Sequence, residues 1–339
     1  MIIVLKLGAT KENIEHIKRK IESFGLKVWV SKGEYRTIMG AIGDEEPLRD
    51  IPLEILPGVE KILPILRPYK LASRDYHPQT TTITLSQGTT IGAKKVVIMA
   101  GPCSVESKEM VFEVAERIKQ VGVEALRGGA FKPRTSPYSF QGLGEDGLRI
   151  LGEVRERVGL AVVTEVMDPR HVDMVSRYAD ILQIGARNMQ NYDLLKEVGS
   201  LKNKPVLLKR GMSATVRELL LSAEYILKQG NREVILCERG IRTFEDSTRN
   251  TLDISSIAVL RRLSHLPIIV DPSHSAGKSY IVPSLSRAAI AAGCDGLLIE
   301  VHPSPENALS DGMQSLTLPQ FISLMGELKK VAHAVGREL

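Results

Sequence analysis

Apolar and polar positions follow two different rhythms along the chain. Over residues 1–66 the apolar runs are short and change period. Residues 1–7 (MIIVLKL) read as a strand ended by Gly8. Thr10 caps a helix expected over 11–24, with Ile14, Ile17, Ile21 and Phe24 on one face, and Gly25 stops it. Alternation over 27–31 puts Val28 and Val30 on one face of a strand, 32–34 reads as a turn, and 35–42 as the return strand. Residues 47–55 read as a short helix and 59–66 as a last strand. The order β-α-β-β-α-β is the ferredoxin-like pattern. A unit of this size has a thin core and leans on a partner surface. Residues 67–92, with Arg67-Pro68, His77-Pro78, a threonine run and Gly88, read as a connector, and alternation at 82–85 adds a small strand or hairpin.

From Lys95 onward one theme repeats. A short apolar strand ends in a polar cluster, and an amphipathic helix follows. The strands are VVIMAGPC (96–103), VEALRGGAF (123–131), LAVVTEV (160–166), ILQIGAR (181–187), PVLLKRG (205–211), VILCERG (234–240), LPIIVDPSH (266–274) and GLLIEVHP (296–303), with helices such as 108–121 and 216–228 between them. Eight strand–helix units predict a (β/α)8 barrel over 93–339. The alternative, an open doubly wound sheet, has fewer strands and a glycine-rich dinucleotide turn. No P-loop is present, and Gly128-Gly129 is only a glycine pair. The expected fold class is therefore α/β: a TIM barrel preceded by a small ferredoxin-like domain.

Composition narrows the setting. With 45 Lys+Arg against 40 Asp+Glu, the net charge is +5, and both signs are interspersed rather than gathered into a nucleic-acid patch. Three cysteines are too few for a disulfide framework, no apolar run approaches the ~18 residues that span a bilayer, and the N-terminus lacks signal-peptide features. A cytoplasmic protein without nucleic-acid or membrane partners is expected.

Active sites of such barrels lie where the strands end. That ring carries Cys103, Arg127, Lys132, Glu165, Arg187, Lys209, Arg239, His274 and Glu300, with Asp311 in the loop after the eighth strand. Five cations at one mouth repel one another unless anions fill it. They call for a substrate with several negative charges, phosphate plus carboxylate being the natural choice. Singly, Cys103, His274, Glu300 and Asp311 are ordinary core, loop and salt-bridge residues. Together at one mouth they form a mixed S/N/O set suited to one divalent metal: Mn, Fe, Co or Zn, without selecting among them. Cys237, inside an apolar strand, and Cys294, at a helix end, read as core.

Seven segments then carry a resemblance: AGPCSVES (100–107), LRGGAFKPRTSPYSFQGLG (126–144), QIGARNMQN (183–191), LLKRG (207–211), LCERGIRTFE (236–245), DPSHSAG (271–277) and VHPSPENALSDGMQSL (301–316). Over about 65–339 the chain closely resembles 3-deoxy-D-arabino-heptulosonate-7-phosphate (DAHP) synthase. Residues 1–66 resemble the regulatory domain of one branch of that family. The resemblance implies condensation of phosphoenolpyruvate with erythrose 4-phosphate, releasing phosphate, at the head of the shikimate pathway to chorismate and the aromatic amino acids. It makes Cys103, His274, Glu300 and Asp311 the metal ligands. It assigns Arg127 and Lys132 to the phosphoenolpyruvate carboxylate, and Arg187, Lys209, Arg239 and the Ala186 amide to its phosphate. Pro133, Arg134, Thr135 and Ser136 would receive erythrose 4-phosphate, the last three at its phosphate. Glu165 would position the attacking water, Asp271 would touch a sugar hydroxyl, and Lys132 is the candidate proton donor. An aromatic amino acid is the expected effector, and a homo-oligomer, a tetramer, the expected assembly. Two rivals stand beside this reading. One is the eight-carbon homologue, 3-deoxy-manno-octulosonate-8-phosphate synthase, which carries an extra Asn in the stretch corresponding to 132–136. The other is a barrel that senses phosphometabolites without catalysis.

Overall fold

The computed structural model describes residues 1–33, 35–48, 51–63 and 67–339, which fall into two compact units, Met1–Lys70 and Leu71–Leu339. In the first, β1 (Ile2–Leu5), α1 (Lys11–Glu22), β2 (Lys27–Lys32), β3 (Thr37–Ile42) and β4 (Val59–Leu63) build a four-stranded sheet in the order β2-β3-β1-β4. Every neighbouring pair in it is antiparallel, which is the ferredoxin-like arrangement. Thr10 caps α1 as expected, in a reciprocal capping box with Asn13. Ile17 and Ile21 of α1 pack with Ile3, Leu5, Met39 and Ala41 of the sheet. The second helix expected over 47–55 is instead two single 3-10 turns, Glu46–Leu48 and Leu53–Ile55. Pro47 and Pro52 supply no amide hydrogen, which works against an α-helical ladder. Glu34 of the expected turn, Arg49 and Asp50 of the expected helix, and 64–66 of the last expected strand lie outside the described residues.

In the second unit a hairpin, β5 (Ile83–Thr84) and β6 (Thr90–Ile91), precedes the barrel. Eight parallel strands then close in the order β10-β11-β12-β13-β14-β7-β8-β9. They are β7 (Val97–Gly101), β8 (Ala125–Arg127), β9 (Ala161–Glu165), β10 (Ile181–Ile184), β11 (Val206–Lys209), β12 (Val234–Glu238), β13 (Ile268–Val270) and β14 (Gly296–Glu300). The barrel closes by pairing its last strand, β14, with its first, β7. The outer helices are α2 (Lys108–Gln120), α3 (Glu145–Val158), α4 (Val172–Tyr178), α5 (Tyr192–Ser200), α6 (Val216–Lys228), α7 (Ile254–Leu263), α9 (Val282–Ala291) and α10 (Leu318–Ala334); a short α8 (Pro272–Ala276) follows β13. Every strand residue of the barrel is buried, because helices cover the outer face and side chains fill the inner one. The strands are shorter than the apolar runs suggested. The run at 266–274 keeps only three strand residues, since Pro267 and Pro272 flank them and cannot donate to a ladder.

The hairpin belongs to the barrel's interior. Ile83, Leu85 and Ile91 join one apolar cluster with Val97, Ala125, Ala161, Ile181 and Leu207, residues near the starts of their strands. Cys237 is part of that cluster, and Cys294 is also buried, in the turn between α9 and β14. No described helix is long and apolar enough to cross a membrane.

Candidate active site at the barrel mouth

The C-terminal ends of the strands deliver most of the expected residues directly. Arg127, Glu165, Lys209 and Glu300 are the last residues of β8, β9, β11 and β14. Cys103 follows β7 by two residues, and Arg239 follows β12 by one. His274 arrives differently from expectation: it sits on α8, not on strand β13. Asp271 ends the strand by accepting the His274 amide at 2.9 Å as helix cap, with Pro272 opening the turn.

Cys103, His274, Glu300 and Asp311 converge. One ligand-type atom from each lies within 4.8 Å of the others. Cys103 Sγ is 3.2 Å from Asp311 Oδ2, and His274 Nε2 is 3.4 Å from Glu300 Oε1. Each group is held from behind. Glu300 accepts from Arg127 Nη1 at 2.7 Å and from Gln314 Nε2 at 2.6 Å. His274 Nδ1 lies 2.8 Å from Asp271 Oδ2. Asp311 Oδ1 is 3.3 Å from Arg249 Nη1, and Cys103 Sγ is 3.0 Å from Ser310 Oγ. Asp311 reaches its place through a left-handed backbone, φ 50°, a conformation that a side chain bearing Cβ adopts only at a cost. A buried and a half-buried carboxylate, an imidazole and a thiol at this spacing, with outer partners fixing their orientation, fit a divalent transition metal.

Protonation follows the same geometry. Burial first, then Glu300, pushes the Cys103 thiol up to about 12, against the pull of Lys132 and Arg127. Burial pushes His274 below its ordinary value. Burial opposes charge on Glu300 and Asp311, yet both stay ionised. His274 and Arg127 hold Glu300 below the usual carboxylate range, and His274 and Arg249 bring Asp311 down to about 2.

Beside this cluster opens a cavity of about 280 Å³. Of the expected residues, Lys132, Pro133, Arg134, Thr135, Ser136, Glu165, Ala186, Arg187, Lys209, Arg239, His274 and Asp311 line it. Cys103, Arg127, Asp271 and Glu300 lie behind its wall, buried. Lys132 Nζ is 2.9 Å from Cys103 Sγ and donates to the Cys103 carbonyl at 3.0 Å. Lys209 Nζ is 2.5 Å from Asp271 Oδ2. The Asp271 carboxylate is thus engaged by Lys209 and His274 and is fully buried. Arg134 Nη1 donates to Ser310 Oγ at 2.8 Å. Arg127 Nε and Arg239 Nη1 are buried donors without a protein partner among the described residues. Buried donors of that kind call for an acceptor brought from outside, and here the acceptor that matches them is an anion.

Sequence reasoning missed several neighbours: Gln183, Gly185, Met212 and Arg249 in the cavity wall, and Ser310 and Gln314 behind the ligands. Gln183 left one signal, a polar residue in the otherwise apolar strand ILQI. Arg249 left none, since it stands in a long polar loop with several other charges.

Known proteins resemble the chain along its whole length. Residues 80–336 match the family model of the DAHP synthetase I family, and residues 1–67 match that of the DAHP synthase ferredoxin-like domain. A phospho-2-dehydro-3-deoxyheptonate aldolase of Thermotoga maritima is 54% identical over 336 residues, 99% of both chains. A crystal structure of that aldolase (DAHP synthase) from the same organism superposes with a TM-score of 0.93, covering 99% of this chain and 98% of the other. A 2-dehydro-3-deoxyphosphooctonate aldolase of Desulfatibacillum aliphaticivorans is 34% identical, matching 76% of this chain and all of its own.

Proposed function

The chain belongs to the DAHP synthetase I family, and from that premise we propose that its barrel condenses phosphoenolpyruvate with erythrose 4-phosphate to give DAHP and inorganic phosphate. One observation carries the reading: the Cys103, His274, Glu300 and Asp311 set stands beside a cavity lined by Arg239, whose buried Nη1 has no protein partner among the described residues. Two phosphorylated molecules repel each other, and only fixed cations hold them in contact long enough to react. A barrel that merely sensed phosphometabolites has no need of a Lewis-acid donor set.

Arg127 and Lys132 take the phosphoenolpyruvate carboxylate; Arg187, Lys209, Arg239 and the Ala186 amide take its phosphate. Arg134, Thr135 and Ser136 hold the erythrose 4-phosphate phosphate, with Pro133 against the sugar. Cys103, His274, Glu300 and Asp311 would hold one divalent ion (Mn, Fe, Co or Zn), which when bound supplies Lewis-acid polarisation of the aldehyde oxygen. A new bond joins C3 of the enol phosphate to the aldehyde carbon. Glu165 holds the water that adds at C2, and phosphate then leaves by C–O cleavage. Lys132, lining the cavity beside Cys103, is the proton donor in this scheme. The test is a coupled assay of phosphoenolpyruvate loss with four- and five-carbon aldose phosphates, with and without chelator. Turnover with the four-carbon sugar, stopped by chelator, is expected. Preference for the five-carbon sugar turns the assignment to the octulosonate enzymes, and no turnover with either sugar refutes catalysis.

Residues 1–66 form, on this reading, a feedback module that binds tyrosine or phenylalanine, in a cytoplasmic homo-oligomer, a tetramer. Placement supports it: no candidate catalytic residue precedes Cys103, and a ferredoxin-like unit stands ahead of the barrel. Regulation requires tighter effector binding to the less active state, by about 1–3 kcal/mol for a typical coupling. A chain starting near Pro68 should keep turnover and lose inhibition. A full-length enzyme indifferent to millimolar tyrosine, phenylalanine and tryptophan sinks the proposal.

A further inference from the structure

Strands β9 and β10 pair in parallel, and their register sets Gln183 opposite Glu165. Both side chains line the mouth cavity. Gln183 is buried, and its Nε2 donates to Glu165 Oε2 at 3.1 Å. Among the described residues it is the hydrogen-bond donor that this carboxylate has. The other oxygen lies beside Gly185. A Cβ at position 185 would stand 2.1 Å from Glu165 Oε1, far inside van der Waals contact, so only glycine leaves room for the carboxylate where it lies. One oxygen is thus held by an amide donor, and the other fills the volume that a side chain at 185 would take. A buried amide costs stability unless it is bonded, and Gln183 stands in a strand whose other residues are Ile181, Leu182 and Ile184.

We infer that Gln183 is a positioning residue for the condensation, acting with the space left by Gly185 to set the Glu165 carboxylate toward the reacting water. The inference rests on the assignment of that water to Glu165 given above. A displacement of about 1 Å at such a group costs on the order of 100-fold in rate, so the hold matters even though Gln183 itself transfers nothing.

The experiment measures kcat and both KM values in the metal-loaded full-length enzyme for Q183L, G185A, E165Q and the double variant Q183L/E165Q. Melting curves and phosphoenolpyruvate titrations check folding and binding. Q183L should lower kcat about 10- to 100-fold, with both KM values within about threefold of wild type. The double variant should be no more than about threefold slower than the slower single variant, because Gln183 works through the group already removed. G185A keeps the glutamine and should reproduce the kcat loss by pushing the carboxylate aside, which provides an independent arm. Wild-type kcat in Q183L, or losses that multiply in the double variant, overturn the inference while leaving Glu165 in its role, provided that E165Q is impaired. Wild-type kcat in E165Q overturns the role of Glu165 and the inference with it.

Discussion

At the N-terminal end of the barrel, Ile83, Leu85 and Ile91 of the hairpin pack with Val97, Ala161, Ile181 and Leu207 in one apolar cluster. At the opposite end β8, β9, β11 and β14 finish in Arg127, Glu165, Lys209 and Glu300, and Lys132, Arg239 and Asp311 join them. The first end is closed by the hydrophobic effect, and its residues can be exchanged for others of similar volume at modest cost. The second is held by ion pairs and oriented hydrogen bonds whose partners are specific, and two of its arginines keep buried donors without a protein acceptor among the described residues. One scaffold thus separates the work of staying folded from the work of binding anions. Substitutions at the two ends should therefore fail in different assays.

The largest effect is expected at the cysteine. Cys103→Ser should cost at least about 100-fold in turnover at micromolar metal, because serine's hydroxyl is a poor substitute for a soft thiolate ligand. Melting temperature without metal should shift by only a few degrees. A serine variant with wild-type turnover at low metal removes Cys103 from the ligand set. Next comes Arg134→Ala. Loss of one charge-assisted phosphate contact should raise KM for erythrose 4-phosphate about 10- to 150-fold, roughly 1.5–3 kcal/mol, and leave KM for phosphoenolpyruvate within about threefold. Equal effects on both substrates erase the division between the two phosphate sites.

Third is the pH dependence of metal affinity. Without metal the Cys103 thiol, raised to about 12 by burial and Glu300, keeps its proton throughout the neutral range. Glu300 and Asp311 are already ionised there, and His274 is already neutral. Binding as thiolate therefore releases one proton, and affinity should rise about tenfold per pH unit between pH 6.5 and 8.5. Competition against a chelator of known protonation constants measures it, and a flat profile contradicts thiolate ligation. The smallest effect on turnover belongs to the closed end. Ile91→Ala, at a fully buried site, should cost about 2–5 kcal/mol in denaturant unfolding and change kcat less than twofold. A kcat loss there beyond tenfold would show that the two ends are coupled.

What could be read in advance follows the same divide. Apolar periodicity marked all eight strands and the helix over Val216–Lys228, since burial on both faces leaves a long hydrophobic signal. The polar residues at the ends of these runs gave the four candidate ligands that converge and most of the cations that line the cavity. Side chains whose role depends on a partner from another loop stayed invisible. Arg249 meets Asp311 across 62 residues, and Ser310 meets Cys103 across 207. No local pattern encodes such pairs. The stretch before β4, expected as one short helix, holds the 3-10 turns Glu46–Leu48 and Leu53–Ile55, each beside a proline. His274 was placed on a strand because the apolar run LPIIV led straight into DPSH, whereas Asp271 and Pro272 start a helix there.

The hairpin also carries a consequence for biosynthesis. Ile83, Leu85 and Ile91 leave the ribosome before any barrel strand, yet the cluster that shelters them is complete only when β14 pairs with β7, about 200 residues later. Until then the nascent chain carries a sticky apolar turn with no finished pocket to enter. Slow translation or a truncation ahead of β14 leaves that turn available to other chains, so the vulnerable species in the cell is the unfinished barrel rather than the finished one.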